Sequence, residues 1–189
     1  KIMFKNIVSN LFALVVAPSK AWQNISSKEE SPTAFLNGYL YPIMGITALS
    51  VFVNLFSDQF TLEKALKLMT IDFVKFFIGF YIASFLIDEL LQKFFDREKN
   101  PKQVQLFVGY TLSVYMLITI FLNLFMGMFS FLRFAPLYII YVIWEGSKYY
   151  MDINENKRLI FVVLSSLILI FSPDIIERFM FILMPGLGN

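Results

Sequence analysis

The chain has 189 residues, 58% of them apolar and 16% charged, with a net charge of +2 and a mean hydropathy of +0.67. That balance belongs to integral membrane proteins and implies no strong pull on nucleic acid, which is not expected as a partner. Cys and His are both absent, so no disulfide, Cys nucleophile, His base or usual zinc site can be built, and no cofactor is expected.

In chain order, Phe4, Ile7, Val8, Leu11, Leu14 and Val15 follow helical spacing, with Lys5, Asn6, Ser9 and Asn10 opposite. The pattern predicts an amphipathic helix over 3–17, lying in the membrane interface. A signal peptide, charged at Lys5 and small at Ala21, is the weaker reading. Ser31-Pro32 supplies an N-cap and a Pro at the first helical position, opening a first span over 33–56. Thr61 and Glu63 restart the chain, 62–70 reads as an interfacial prelude, and a second span follows over 71–92. After the charged stretch Lys93–Lys102, Asn100-Pro101 with Gln103 opens a third span over 103–126. A tight turn over 127–132 leads to a short fourth span, 130–146, with a re-entrant pair as the alternative. The fifth, 158–183, meets Ser172-Pro173 and is expected to kink or break there. The prediction is one all-α, polytopic membrane domain: five transmembrane helices behind an interfacial helix.

Basic residues orient it. With five alternating spans, one side receives Lys1, Lys5, Lys20, Lys28, Lys93, Arg97, Lys99, Lys102, Lys148, Lys157 and Arg158. The other receives Lys64, Lys67, Arg133 and Arg178. The N-terminus is therefore expected in the cytoplasm and the C-terminus outside, with anionic headgroups on the basic inner face as one partner. A protein partner or a second copy stays open.

Asp72 and Lys75 stand three apart at the start of the second span, on one helix face. Ionisable groups in lipid are costly and often functional, so the pair reads as an ion or proton relay, or as a clasp on a neighbouring helix. The plainer reading puts both at the outer interface, with Lys75 snorkelling to water. Asp88 and Glu89, just before Lys93, suit interfacial salt bridges or a partner contact. Glu145 pairs with Lys148 by spacing at a solvated helix end. Asp174 and Glu177 either line a cavity or favour a helix N-terminus after Pro173. Asn123 heads a set of span residues able to bond across helices, with Asn37, Asn54, Thr111, Ser113, Thr119, Ser165 and Ser166. Trp22, Trp144, Tyr149 and Tyr150 read as an aromatic belt on the inner face. Ser165-Ser166 has no base beside it in sequence and no phosphate-binding Gly loop occurs, which disfavours an enzyme.

Two segments carry a family resemblance. Pro18-Ser19-Lys20-Ala21-Trp22-Gln23-Asn24-Ile25 and Gly109-Tyr110-Thr111-Leu112-Ser113 resemble elements of the Yip1 family of multispanning proteins. The resemblance implies a cytosolic N-terminus and five spans. Its eukaryotic members engage Rab GTPases through longer N-terminal regions carrying an Asp-Leu-Tyr-Gly-Pro motif; this sequence has none, so Rab binding is not carried over. Val114 stands where many relatives carry Pro. The short N-terminal region resembles bacterial members and implies a bacterial inner membrane. The expected role is that of a non-enzymatic membrane adaptor or bilayer-organising protein. The alternative is a small transporter, channel or lipid scramblase with a polar path near Asp72 and Lys75.

Overall fold

The structure, a computed structural model, describes residues 2–57, 60–125 and 130–184, and every regular element among them is helical. Two short helices, α1 (Ile2–Val16) and α2 (Pro18–Ser26), precede α3 (Pro32–Phe56), α4 (Leu62–Phe95) and α5 (Pro101–Leu124). A 3-10 stretch, Ser130–Leu137, then leads into α6 (Tyr138–Tyr149), and α7 (Glu155–Leu183) closes the bundle. The expected turn over 127–132 lies partly outside the described residues.

Local chemistry sets the helix starts. Ser31 Oγ accepts from Ala34 N, Thr61 Oγ1 from Lys64 N and Asn100 Oδ1 from Gln103 N, each at 3.2 Å. Such caps satisfy amides that the first turn leaves without partners. In α3 the segment Leu36–Leu40 widens to a π-turn just before Pro42, where the Tyr41 amide reaches Leu36 O. A Pro ring crowds the carbonyl four residues back, and the wider turn relieves that conflict. α4 ends on Asp96, left-handed at φ 54°, a conformation that Asp tolerates better than most residues.

Four helices, α3, α4, α5 and α7, are long and apolar enough to cross a membrane. Their outward faces are apolar too: Phe56, Phe85, Phe171, Ile175 and Ile182 are all exposed. So extensive a display of large apolar side chains suits lipid, not water. Within the bundle, Phe35, Phe76, Phe80, Phe107, Tyr110 and Phe161 are fully enclosed.

The structure refines three sequence expectations. The interfacial prelude over 62–70 is continuous with the second span as the first turns of α4, which runs 34 residues, about 51 Å at 1.5 Å per residue, more than a roughly 30 Å core requires. There Lys67 pairs with Glu63 at 2.6 Å. Helix α7 is continuous through Pro173 and not broken at it. The ring is accommodated at Gly79 of α4, where an added Cβ would come within 3.2 Å of it. Finally, the α-helical part of the fourth run is only 12 residues, too short for a span by itself.

Helix α1 also departs from a simple interfacial helix. Ile7, Leu11 and Leu14 are buried at 2%, 7% and 0%, while Val8, Phe12 and Val16 lie exposed on the other side. One apolar face packs on the bundle and a second is exposed. The segregation expected of α1 belongs instead to α2, where Pro18, Ala21, Trp22 and Ile25 face in and Lys20, Gln23 and Asn24 face out.

Candidate functional site

At one end of the bundle, Asp72 and Lys75 lie one turn apart on α4 and form an ion pair of 2.7 Å, each side chain 9% exposed. Lys75 Nζ also donates to Glu177 Oε1 of α7 at 3.2 Å. The other Asp72 oxygen accepts from Asn123 Nδ2 of α5 at 3.1 Å, and that amide nitrogen also donates to Ser50 Oγ of α3 at 2.9 Å. Beside them, Tyr115 OH on α5 donates to Asp174 Oδ1 on α7 at 2.7 Å. Phe76 packs edge-on to Tyr115 and lies 5.2 Å below the Lys75 ammonium. All four membrane-length helices thus meet in one polar network.

The sequence placed Asp72, Lys75, Asn123, Asp174 and Glu177 separately, and the fold brings them together. Lys75 does not snorkel: its ammonium is spent on two carboxylates inside the protein. A buried ion pair holds only where hydrogen bonds satisfy its remaining lone pairs, which Asn123 does for Asp72. Ser50 and Tyr115 are members that the sequence did not single out. Their partners are 73 and 59 residues away, beyond any spacing rule.

The opposite end gathers the basic residues. Asp88 is buried and accepts from the backbone amide of Asn100 at 3.1 Å, which fixes the turn from α4 into α5. Glu89 pairs with Lys93 at 3.1 Å and with Lys99. The hydrogen bond to Glu89 holds the Lys99 ammonium above the usual lysine range. Arg97 donates to Met151 O, and Gln103 Nε2 donates to Tyr150 O at 2.8 Å, tying α5 to the segment after α6. Glu145 is half-buried, and Lys148 lies over the Tyr149 ring at 5.0 Å instead of beside it.

The expected aromatic belt divides. Trp22 has no exposed surface and cannot reach headgroups; it is a core residue, correcting the anchoring role. Its Nε1–H donates to Val142 O at 2.9 Å, and its ring packs on Phe107, Tyr110 and Tyr150 at 5.3–6.2 Å. Gly146 lets it in: a Cβ there would stand 2.7 Å from the indole. Trp144, 38% exposed, and half-buried Tyr149 keep the surface that a belt requires. Burial and the Glu30 carboxylate push the Tyr150 phenol up to about 12, so it stays protonated. Glu30, which accepts from Tyr110 OH at 2.7 Å, gave no signal in sequence.

The family model described as Yip1 domain matches residues 12–173. The chain belongs to the Yip1 family. No curated protein and no solved structure matches it. In this Yip1 chain the two motif segments touch: Trp22, from the first, packs on Tyr110, from the second. Gly109 of the second segment lies under the Phe35 ring, 2.5 Å from where a Cβ would be. Val114 is buried within an uninterrupted α5. Family membership and four membrane-length helices make this a multi-pass membrane protein of the Yip1 family.

Proposed function

We propose that this Yip1 protein is a non-enzymatic membrane adaptor or bilayer-organising element, with its N-terminus and basic loops on the cytoplasmic side. The observation that carries this reading is the state of the intramembrane charges. Asp72 and Lys75 are partners of each other, of Asn123 and of Glu177, so they hold helices together instead of facing a path. The unsaturated polar chemistry lies at the other end, where exposed cations face the headgroup layer. The bilayer is then the first partner, and a protein partner or a second copy would engage the same basic face.

A small transporter, channel or scramblase is the second reading, favoured by Glu177, whose side chain is 33% exposed beside the pair. Reconstitution into liposomes separates the two. The adaptor reading expects no ion, solute or lipid flux above empty vesicles. A flux abolished by Asp72→Asn would overturn it in favour of transport.

A further inference from the structure

A cavity of about 580 Å³ opens at the basic end, between the approach to α3 and the start of α5. Lys28, Glu29 and Ser31 line it from one side, Lys102 and Gln103 from another, and Tyr150 from a third, over an apolar floor at Leu106. We propose that this cavity is a binding site for the zwitterionic phosphoethanolamine headgroup of a membrane phospholipid. The proposal deepens the bilayer-organising reading by naming the lipid class that it engages.

Three observations converge on that class. First is depth: the lining includes Pro32, which begins one membrane-length helix, and Asn100 and Lys102, on either side of the Pro101 that begins another, so the mouth falls where spans meet headgroups. Second is unspent charge of both signs. Glu30 accepts from the neutral Tyr110 hydroxyl and keeps its charge, and like Lys28, Lys102 and Glu29 it forms no ion pair among the described residues. Two ammonium groups suit a phosphodiester, and a carboxylate without a cation suits a primary ammonium. A purely anionic headgroup would leave Glu29 opposed, and a quaternary amine offers it no N–H donor. Third is construction. Gln103 is fixed by its bond to Tyr150 O and Ser31 by its cap, which holds the walls in place before a ligand arrives.

The test uses the full chain purified from mixed nanodiscs of phosphatidylethanolamine, phosphatidylglycerol and phosphatidylcholine, with retained lipid read by native mass spectrometry. Phosphatidylethanolamine should be retained at least fivefold over the other two. Lys28→Gln with Lys102→Gln should abolish the preference, and Glu29→Gln should shift it toward phosphatidylglycerol. All three side chains are exposed, so the variants keep the fold; Lys20→Gln, outside the cavity, is the control. Equal retention of the three lipids, or a preference surviving Lys28→Gln/Lys102→Gln, overturns the site while the broader reading stands. Binding of soluble glycerophosphoethanolamine by the delipidated protein as tightly as the lipid overturns the lipid as the source. Flux in the liposome assay overturns the broader reading instead, and the two failures are therefore distinguishable.

Discussion

At the residue scale, the clasp makes a sharp energetic prediction. Lys75→Met removes the cation that Asp72 and Glu177 share and leaves both carboxylates without a counter-charge, with Asp72 buried. Breaking one half of a buried ion pair costs about 3–5 kcal/mol, more than replacing the pair with apolar groups. Thermal unfolding in detergent should therefore show Lys75→Met less stable than the double variant Asp72→Leu/Lys75→Met. The opposite order would mean that the pair is solvated and does not bind helices together. Two glycines give a second contrast. Gly146→Ala drives a methyl into Trp22 and Phe107 and should cost about 1–3 kcal/mol through overpacking. Gly45 has nothing within 4 Å of its would-be Cβ, so Gly45→Ala should stabilise by about 0.5–1 kcal/mol through the lower backbone entropy of the unfolded chain. Opposite signs in the same unfolding assay are the expected result.

At the element scale, what was legible in the sequence was local. Ser31-Pro32 and Asn100-Pro101 mark helix starts within one residue of where they occur, because a cap and its amide lie three positions apart. Lys64 and Lys67 lie within a continuous helix for a physical reason: charges break an apolar run but need not break a helix, and α4 is longer than a hydrocarbon core requires. Pro173 stays inside one long helix because its cost depends on the neighbour that receives it, and Gly79 lies 94 positions earlier in the chain. Of the polar span residues, Asn123 and Ser113 bond across helices, the latter with Tyr39 OH at 2.8 Å. Thr111 and Thr119 instead bond their own carbonyls four residues back, an option that sequence cannot distinguish from the first. The two faces of α1 are separable by experiment. Leu14→Ala should cost about 2–5 kcal/mol of stability as a core truncation. The triple change Val8→Ser, Phe12→Ser and Val16→Ser should leave the unfolding temperature unmoved and raise protease access to α1 in vesicles. A collapse of stability in the triple variant would place that face against protein and not lipid.

At the scale of the whole molecule, the membrane class was legible in composition, while the number of crossings was not. The site itself was legible only as scattered charged residues, because the contact that joins them, Lys75 to Glu177, spans 102 positions. Crossing number turns on the segment from Ser130 to Tyr149. Its start follows α5, whose last turns hold Asn123 beside Asp72, and its end leads to Tyr150, bound by Gln103 at the basic end. Between those two anchors lie 20 described residues from Ser130 to Tyr149, 8 of them 3-10 and 12 of them α. A 3-10 turn rises about 2.0 Å per residue and an α turn about 1.5 Å, so a collinear path reaches about 34 Å. That matches a roughly 30 Å core even though the α-helical part alone does not. If that segment crosses as the fifth, the ends of the chain fall on opposite sides. The sequence contains no Cys, so single substitutions report accessibility against a blank background. Ser27→Cys, Lys99→Cys and Asn154→Cys should react with a membrane-impermeant maleimide from one side of sealed vesicles. Thr61→Cys and Met184→Cys should react only from the other. Reaction of Met184→Cys from the same side as Ser27→Cys would reduce the crossings to an even number and turn the segment after α5 into a re-entrant one. It would also place Lys148, Lys157 and Arg158 opposite the other basic loops, against the charge asymmetry that orients membrane proteins.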